Sequence, residues 1–205
     1  STSAWRRASR AAALWFDTGA GGGTEGDPDR IDWLRVVPFI GMHLACLAVF
    51  WVGFSWVALW TAVALYCVRM FAITGFYHRY FAHKAFRTSR PVQFAFAVVG
   101  AASVQRGPLW WAAHHRHHHR HADTPLDIHS PRFGFFRSHM GWFLTRRGFA
   151  TNFDSIKDLA RFPELRALDR FDIAVPVLLA VALYGLGSWL EASQPELGTS
   201  GAQML

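Results

Sequence analysis

Residues 36–68 read VVPFIGMHLACLAVFWVGFSWVALWTAVALYCV, a stretch without Lys, Arg, Asp or Glu. A bilayer crossing takes about 20 apolar residues in a helix, so this stretch is too long for one helix and suits two. With its apolar margins it predicts spans over 34–52 and 54–72, with a turn near Gly53. A third apolar run over 173–190 predicts another span, and the alternative for it is a helix buried in a soluble core. We therefore predict an all-α, multi-span membrane protein.

The composition and the charges agree with this class. Hydrophobic residues make up 52% of the chain and charged residues 17%, against about a quarter charged in soluble domains. Most of the 21 Lys and Arg lie between Arg79 and Arg170, and none follows Arg170. Because cytoplasmic loops carry the basic residues, we expect 78–170 and the N-terminus in the cytoplasm and the tail after Leu190 outside. The basic face favours anionic lipid, a phosphorylated substrate or an acidic protein over nucleic acid.

The run HHRHHHRH at 114–121 is the densest group of reactive side chains. In a helix of about 3.6 residues per turn, His115, His118 and His119 lie on one face. Neutral imidazole is the commonest protein ligand for a transition metal. A solvated loop or an engineered tag explains neither this spacing nor the Trp pair at 110–111. The run therefore predicts a metal site.

A second pair, His78 and His83, stands where the second apolar stretch ends. Residues five apart do not share a face of an ideal α-helix, so these two converge only if the helix ends or bulges between them. With such a feature, both histidine clusters can contribute to one metal site at the membrane edge.

Short motifs in a fixed order surround the histidines. The first comprises Ile73, Thr74, His78, Arg79 and His83, and the second comprises Trp111, Ala112, His115, Arg116, His118 and His119. Downstream come Thr124, Asp127 and His129, and then GFFRSHMGW at 134–142. Together they resemble the histidine boxes, the Thr-Asp-x-Asp-Pro-His run and the Gly-Phe-Phe-x-Ser-His-x-Gly-Trp signature of the membrane-bound fatty acid desaturases, within them the acyl-CoA Δ9 (stearoyl-CoA) branch. The likeness covers about residues 35–190.

The resemblance implies a four-span fold with a cytoplasmic helical cap, here represented by its first three spans, and a di-iron centre held mostly by histidines. By position the ligands would be His78, His83, His115, His118 and His119. His114, His117 and His121 would lie beside the ligand positions, and His129 and His139 would be structural.

The implied reaction is O2-dependent insertion of a cis double bond into an acyl chain, with acyl-CoA and Δ9 the expected substrate and position. Removing hydrogens from an unactivated methylene is beyond side-chain acids and bases, so a redox metal is needed. Similar proteins take electrons from NAD(P)H through cytochrome b5, ferredoxin or a related carrier, which a basic face would attract. The implied location is a bacterial inner membrane, or the endoplasmic reticulum of a eukaryote.

Substrate-binding positions also carry over from the resemblance. Gln105 and Trp111 match positions near the family's acyl tunnel. Arg146 and Arg147 match a basic pair used on CoA phosphates, which guanidinium groups bind in a fork; the alternative is a membrane anchor on the basic face. The chain departs from the animal acyl-CoA pattern at Arg106, Ala113 and His114. The acyl carrier, whether CoA, carrier protein or lipid, stays open.

The family's third histidine box has no counterpart, since no histidine follows His139. We therefore expect residues 1–205 to be an incomplete domain, with a flexible leader over 1–30 and the membrane domain over 31–205, and to be inactive alone. Two alternative functions remain: a membrane di-iron fatty acid or alkane hydroxylase, and a non-enzymatic histidine-rich membrane protein that binds or moves metal.

Overall fold

The structure is a computed structural model that describes Ser9 and residues 13–20 and 27–205. The predicted leader, 1–30, therefore lies largely outside the described residues. Within the described ranges the chain is helical, with only an isolated β-bridge between Ile31 and Thr145, so the all-α prediction is confirmed. The helices are α1 (Trp33–Ala45), α2 (Trp56–Phe71), α3 (Arg90–Ala101), α4 (Pro108–His121), α5 (Phe135–His139), α6 (Arg146–Phe149), α7 (Lys157–Ala160), α8 (Pro163–Arg170), α9 (Ala174–Ser193) and α10 (Gly201–Met204).

Three helical stretches in the described ranges are long and apolar enough to cross a membrane: Trp33–Phe50, Trp56–Ala82 and Ala174–Ser193. The first is α1 extended by the 3₁₀ turn Cys46–Phe50, and the second is α2 extended by the π-helix Ala72–Ala82. Only 6%, 6% and 11% of their apolar windows are buried within the protein. The outward apolar faces are what a lipid environment requires, because lipid then covers the side chains that protein leaves bare. The second stretch continues to Ala82 rather than ending near 72.

The helical cap is held together by a core at the end of the second span. The π-helix packs against α3 and α4, and α8 packs against both of these helices. The residues at the centre of this core are fully buried: Tyr77, Phe81, Ala97, Leu109, Ile156 and Leu165. Gly100 allows α3 to approach the π-helix closely, since a Cβ at this position would lie 2.1 Å from the Tyr77 ring. This packing fixes α4, which carries the histidine run, beside the end of the second span.

The described part of the N-terminal segment contacts the same cap. Asp17 forms a two-pronged ion pair with Arg170, at 2.8 and 2.7 Å, and the Thr18 hydroxyl donates to the Asp169 carbonyl. The Trp15 indole N–H donates to the Leu34 carbonyl at 2.7 Å. Residues 13–20 thus lie against both α8 and the start of the first span.

Candidate metal centre

The π-helix brings the first two histidines together. His83 N–H donates to the His78 carbonyl at 3.0 Å, the five-residue spacing that defines a π-turn. Residues five apart then lie one turn apart instead of diverging. The His78 and His83 Nε2 atoms are 3.0 Å apart. The structure therefore contains the bulge that convergence of this pair requires.

The histidine helix α4 is anchored at its N-terminus by a buried carboxylate. Asp169 accepts hydrogen bonds from the Trp110 backbone N–H at 2.7 Å and from the Thr151 hydroxyl at 3.0 Å. Gly107 fits because a Cβ there would lie 2.4 Å from the Asp169 backbone. Burial raises the pKa of Asp169 to about 6, although both hydrogen bonds oppose this. The N-terminal N–H groups of a helix lack intrahelical partners, so this carboxylate satisfies one and fixes the start of α4.

Arg116 joins the two histidine clusters. It donates to the carbonyls of Phe81 and Ala82, at 2.7 and 3.0 Å, immediately before His83. The same guanidinium donates to the Ser155 carbonyl at 3.2 Å and forms a two-pronged pair with Asp158 at 2.8 and 3.1 Å. It therefore holds the end of the π-helix, the histidine helix and the 153–160 segment in one arrangement.

Four imidazoles meet at this junction: His78, His83, His115 and His119. The Nε2 atom of His83 lies 3.0 Å from that of His78 and 3.1 Å from that of His115, and His115 Nε2 lies 3.0 Å from His119 Nε2. An imidazole nitrogen has one in-plane lone pair or one proton. His83 and His115 therefore cannot each form two linear hydrogen bonds, whereas one cation between the rings would use all four lone pairs. Ligand nitrogens about 2.1 Å from a metal lie about 3 Å apart in adjacent octahedral positions and about 3.4 Å apart in a tetrahedral site, so the observed separations are close to those of a metal site.

Burial and neighbouring charges keep two of these imidazole rings in the neutral form that binds metal. Burial, together with the neighbouring rings of His119, His78 and His83, lowers the pKa of His115 to about 3. Loss of hydration and the rings of His78 and His119 also lower the pKa of His83. Metal ligation requires neutral imidazole, so both rings are ready to bind at neutral pH. His83 and His119 are exposed, which leaves one side of the cluster open.

The structure places His118, the fifth predicted ligand, in a neighbouring group with Asp127 and His129. Its ring centroid is 6.5 Å from that of His115 and 5.6 Å from that of His119. The five predicted ligands are thus divided between a group of four and an adjacent group that begins with His118.

The other histidines have different surroundings. His117 Nε2–H donates to the Leu126 carbonyl at 2.8 Å, and the His121 ring lies beside that of His117. His114 is packed against Trp110 and Trp142, and its Nε2 has no hydrogen-bond partner among the described residues. Burial and the nearby Arg106 lower the pKa of His114 to about 3. His139 stacks on Phe135.

Gln105 and Trp111 connect the four-histidine group with a cavity. Gln105 lines a cavity of about 410 Å³ between α2 and α9, together with Ala58, Leu65, Arg69, Ile73 and Leu183. Trp111 donates from its indole N–H to Gln105 Oε1 at 3.3 Å and stacks on the His115 ring at a centroid distance of 4.7 Å. The two predicted substrate residues thus link the wall of the cavity to the imidazoles through two successive contacts.

The two arginines of the basic pair at 146–147 differ in their exposure to solvent. Arg146 is half-buried, whereas Arg147 is exposed and lies 3.0 Å from Asp29. Arg137 binds the other oxygen of the same carboxylate at 3.1 Å. Asp29, Arg137 and Arg147 line a surface cavity of about 430 Å³, together with Pro125, Ile128 and Phe133. Sequence reasoning did not identify Arg137 as part of this group.

Sequence reasoning also missed the contribution of Asp127. Its signal was present: the loop after α4 begins with Ala122-Asp123-Thr124-Pro125, a composition typical of a turn that brings the following residues back towards the helix. The sequence likewise identified Arg116 only as part of a motif and did not predict its hydrogen bonds.

Comparison with known proteins agrees with the geometry. The family model described as fatty acid desaturase matches residues 54–194. The chain is similar to the sn-2 palmitoyl-lipid 9-desaturase of Nostoc sp. (strain 36), with 36% identity over 80% of this chain and 59% of that protein. It is similar to the acyl-CoA 5-desaturase AL21 of Anemone leveillei, with 33% identity over 78% of this chain and 54% of that protein. The chloroplastic palmitoyl-monogalactosyldiacylglycerol delta-7 desaturase of Arabidopsis thaliana shares 37% identity over 78% of this chain and 44% of that protein. The chain thus spans less than two thirds of the length of each of these relatives. Its histidine clusters, its apolar helices and this match together show that the chain belongs to the fatty acid desaturase family.

Proposed function

We propose that the protein is an O2-dependent fatty acyl desaturase that inserts a cis double bond, at Δ9, at a histidine-held di-iron centre. The observation that supports it most strongly is the meeting of four imidazole Nε2 atoms within 4.8 Å of one another at the end of an apolar span. Membrane placement matters because an acyl chain is itself dissolved in or delivered from the membrane.

The donor set fits iron in a strongly oxidising reaction. Imidazoles resist oxidation, whereas thiolates are readily oxidised. Of the two cysteines, Cys46 lies in the turn after α1 and Cys67 lies in α2, and neither belongs to the cluster. When bound, the iron pair would activate O2 and remove hydrogens from the acyl chain, with electrons from NAD(P)H through cytochrome b5, ferredoxin or a similar carrier.

The protein's own residues would position the acyl chain. The cavity that Gln105 lines has both apolar and polar walls and is of the size of small-molecule sites. Trp111, which stacks on His115, would form the wall where the chain reaches the centre. The Gln105 amide fixes that indole through one hydrogen bond, so a shift of either residue would move the reacting carbon.

The membrane arrangement follows from the charges. With three crossings, the basic region 79–170 and the histidine clusters would face the cytoplasm, and the end of α9 would face the opposite side. Both the electron carrier and an acyl-CoA would then approach from the cytoplasm. An acidic carrier would be attracted by the basic cap.

The acyl carrier that we propose is CoA, held in part by Arg146 and Arg147. Arg137 and Arg147 already hold one anion, the Asp29 carboxylate, in a cavity large enough to admit part of a ligand. A phosphate group would compete for the same guanidinium groups. The relatives named above include both acyl-CoA and acyl-lipid enzymes, so lipid is the competing carrier.

The carrier is tested by changing both arginines to Gln in the intact protein. We expect a raised KM for acyl-CoA, an effect that shrinks at high salt, and unchanged iron content. Arg161→Gln, another basic residue of the cap, should leave KM unchanged. An unaltered KM in the double variant would assign the pair to membrane anchoring and favour a lipid substrate.

The reaction itself is tested by supplying the intact, iron-loaded protein with O2, an electron donor and stearoyl-CoA, and identifying the products by mass spectrometry. We expect a cis alkene, whereas a hydroxylated chain would establish the hydroxylase alternative. His119→Ala should abolish both iron binding and turnover. His121→Ala, on the same helix but outside the cluster, should retain both. A protein that binds zinc or nickel but never iron, and consumes no O2, would overturn the proposal.

A further inference from the structure

We infer that Asp127 is a positioning residue of the metal centre, which fixes the His118 ring so that its Nε2 atom is free to bind metal. The inference rests on the proposed function, because it requires a metal beside His118.

The contact is a hydrogen bond to a buried anion. His118 Nδ1 lies 2.9 Å from Asp127 Oδ2, and the Asp127 side chain is fully buried. Its two oxygens accept three hydrogen bonds, from the His118 ring and from the backbone N–H groups of Asp123 and His129. A carboxylate surrounded by donors in this way only accepts hydrogen bonds. It follows that the proton of His118 is on Nδ1 and the lone pair is on Nε2.

The carboxylate is itself rigidly held. Its oxygens also accept from the backbone N–H groups of Asp123, at 3.4 Å, and His129, at 3.3 Å. The His129 ring stacks on the His118 ring at a centroid distance of 4.2 Å and an angle of 27°, and the Trp142 ring lies 5.1 Å from the His129 ring between centroids. Rotation of His118 about its side-chain bonds is thereby opposed by a hydrogen bond and by a stack.

An alternative arrangement uses the same atoms differently. His118, Asp127 and His129 offer ligand atoms within 4.8 Å of one another, so the three could themselves enclose an ion. The positioning role is favoured because both Asp127 oxygens already accept hydrogen bonds from backbone N–H groups, so the carboxylate is oriented towards donors rather than towards an ion. A carboxylate that orients a ligating histidine is also a common arrangement, and its loss costs about 10- to 100-fold in metal affinity.

The test compares three variants of the intact protein, each titrated with Fe²⁺ and with Co²⁺ as a spectroscopic probe. Asp127→Asn should weaken the affinity of one metal position by about 10- to 100-fold, with the other position unchanged. Asp123→Asn, in the same loop but with an exposed side chain, should bind like the wild type. His129→Phe, which keeps the stacked ring but removes both nitrogens, should also retain metal. A loss in His129→Phe as large as in Asp127→Asn would instead show an ion enclosed by the three residues.

Two measurements separate this inference from folding and from the proposed function. The metal-free variants should still unfold in one cooperative transition, within a few degrees of the metal-free wild type, because the amide oxygen of Asp127→Asn can still accept the shorter of the two backbone hydrogen bonds, from His129. In metal-free wild-type protein at pH 8, nitrogen NMR of labelled histidines should show His118 protonated on Nδ1. Protonation on Nε2, or wild-type affinity in Asp127→Asn, would overturn the inference alone. Failure of the wild type to bind iron would overturn the proposed function.

Discussion

Replacing Arg116 by Met should destabilise the cap and loosen the four-histidine cluster. The change keeps most of the aliphatic stem and removes five hydrogen bonds: to the carbonyls of Phe81, Ala82 and Ser155 and twice to Asp158. At about 1 kcal/mol net for each carbonyl bond and about 1 kcal/mol for a partly exposed ion pair, the expected loss is about 4 kcal/mol before water replaces any contact.

A loss of this size should lower the midpoint of thermal unfolding by about 8 °C or more, since about 2 to 4 °C accompanies each kcal/mol in a protein of this length. Tryptophan fluorescence of the purified protein in detergent measures the midpoint. Metal affinity should also fall, because the carbonyls of Phe81 and Ala82 immediately precede His83.

Lys84→Met is the matched control, because Lys84 lies 2.9 Å from the same Asp158 carboxylate but its side chain is 57% exposed. We expect less than about 1 kcal/mol from its loss and no change in metal affinity. Equal shifts in the two variants would show that the carbonyl contacts of Arg116 contribute nothing, and would refute this reasoning.

The pH dependence of stability separates the contribution of the ion pair with Asp158 from that of the hydrogen bonds to the backbone carbonyls. Burial opposes ionisation of Asp158, but hydrogen bonds from Arg116 and Lys84 lower its pKa to about 2. A lowered pKa stabilises the fold above the usual value near 3.8 and loses that contribution as the pH falls towards 2. The difference between wild type and Arg116→Met should therefore be constant at neutral pH and shrink, without vanishing, below pH 4.

Three further predictions concern other parts of the molecule. Because burial raises the pKa of Asp169 to about 6, the folded state keeps a proton that the unfolded state releases. The free energy of unfolding should therefore fall by at most about 2 to 3 kcal/mol as the pH rises from about 4 to 6. Asp169→Asn should abolish this dependence in melting curves, and an equal change of melting temperature with pH in the two proteins would contradict it. Gly100→Ala should cost about 1 to 3 kcal/mol or more, because its Cβ would lie 2.1 Å from the Tyr77 ring, whereas Gly185→Ala, with nothing within 4 Å among the described residues, should be nearly neutral in the same assay. Single cysteines at Thr124 and Glu196, both exposed and placed in a background without Cys46 and Cys67, should react with impermeant reagents from opposite sides of the membrane; labelling of both from one side would contradict three crossings.

The sequence by itself determined the fold class and the chemistry available. An uncharged stretch over 36–68 and another over 173–190 are long and apolar enough to cross a membrane as helices, which satisfy their own backbone hydrogen bonds. The residue types and spacing of the histidines likewise indicate a metal site, and the basic region predicts its orientation. These features are local, because they depend on neighbours along the chain, and local patterns can be recognised without coordinates.

Only the tertiary structure decided how those residues meet. The sequence could state that His78 and His83 need a bulge to converge, but the π-turn that provides it depends on packing against α3 and α4. The sequence grouped His118 with the other four candidate ligands, whereas Asp127 and His129 hold it in an adjacent group. Arg116 joins the two clusters through carbonyls more than 30 positions away, at separations of 34 and 35. Contacts of this kind depend on distances between residues remote in the chain, and no pattern of residue types along the sequence specifies such distances.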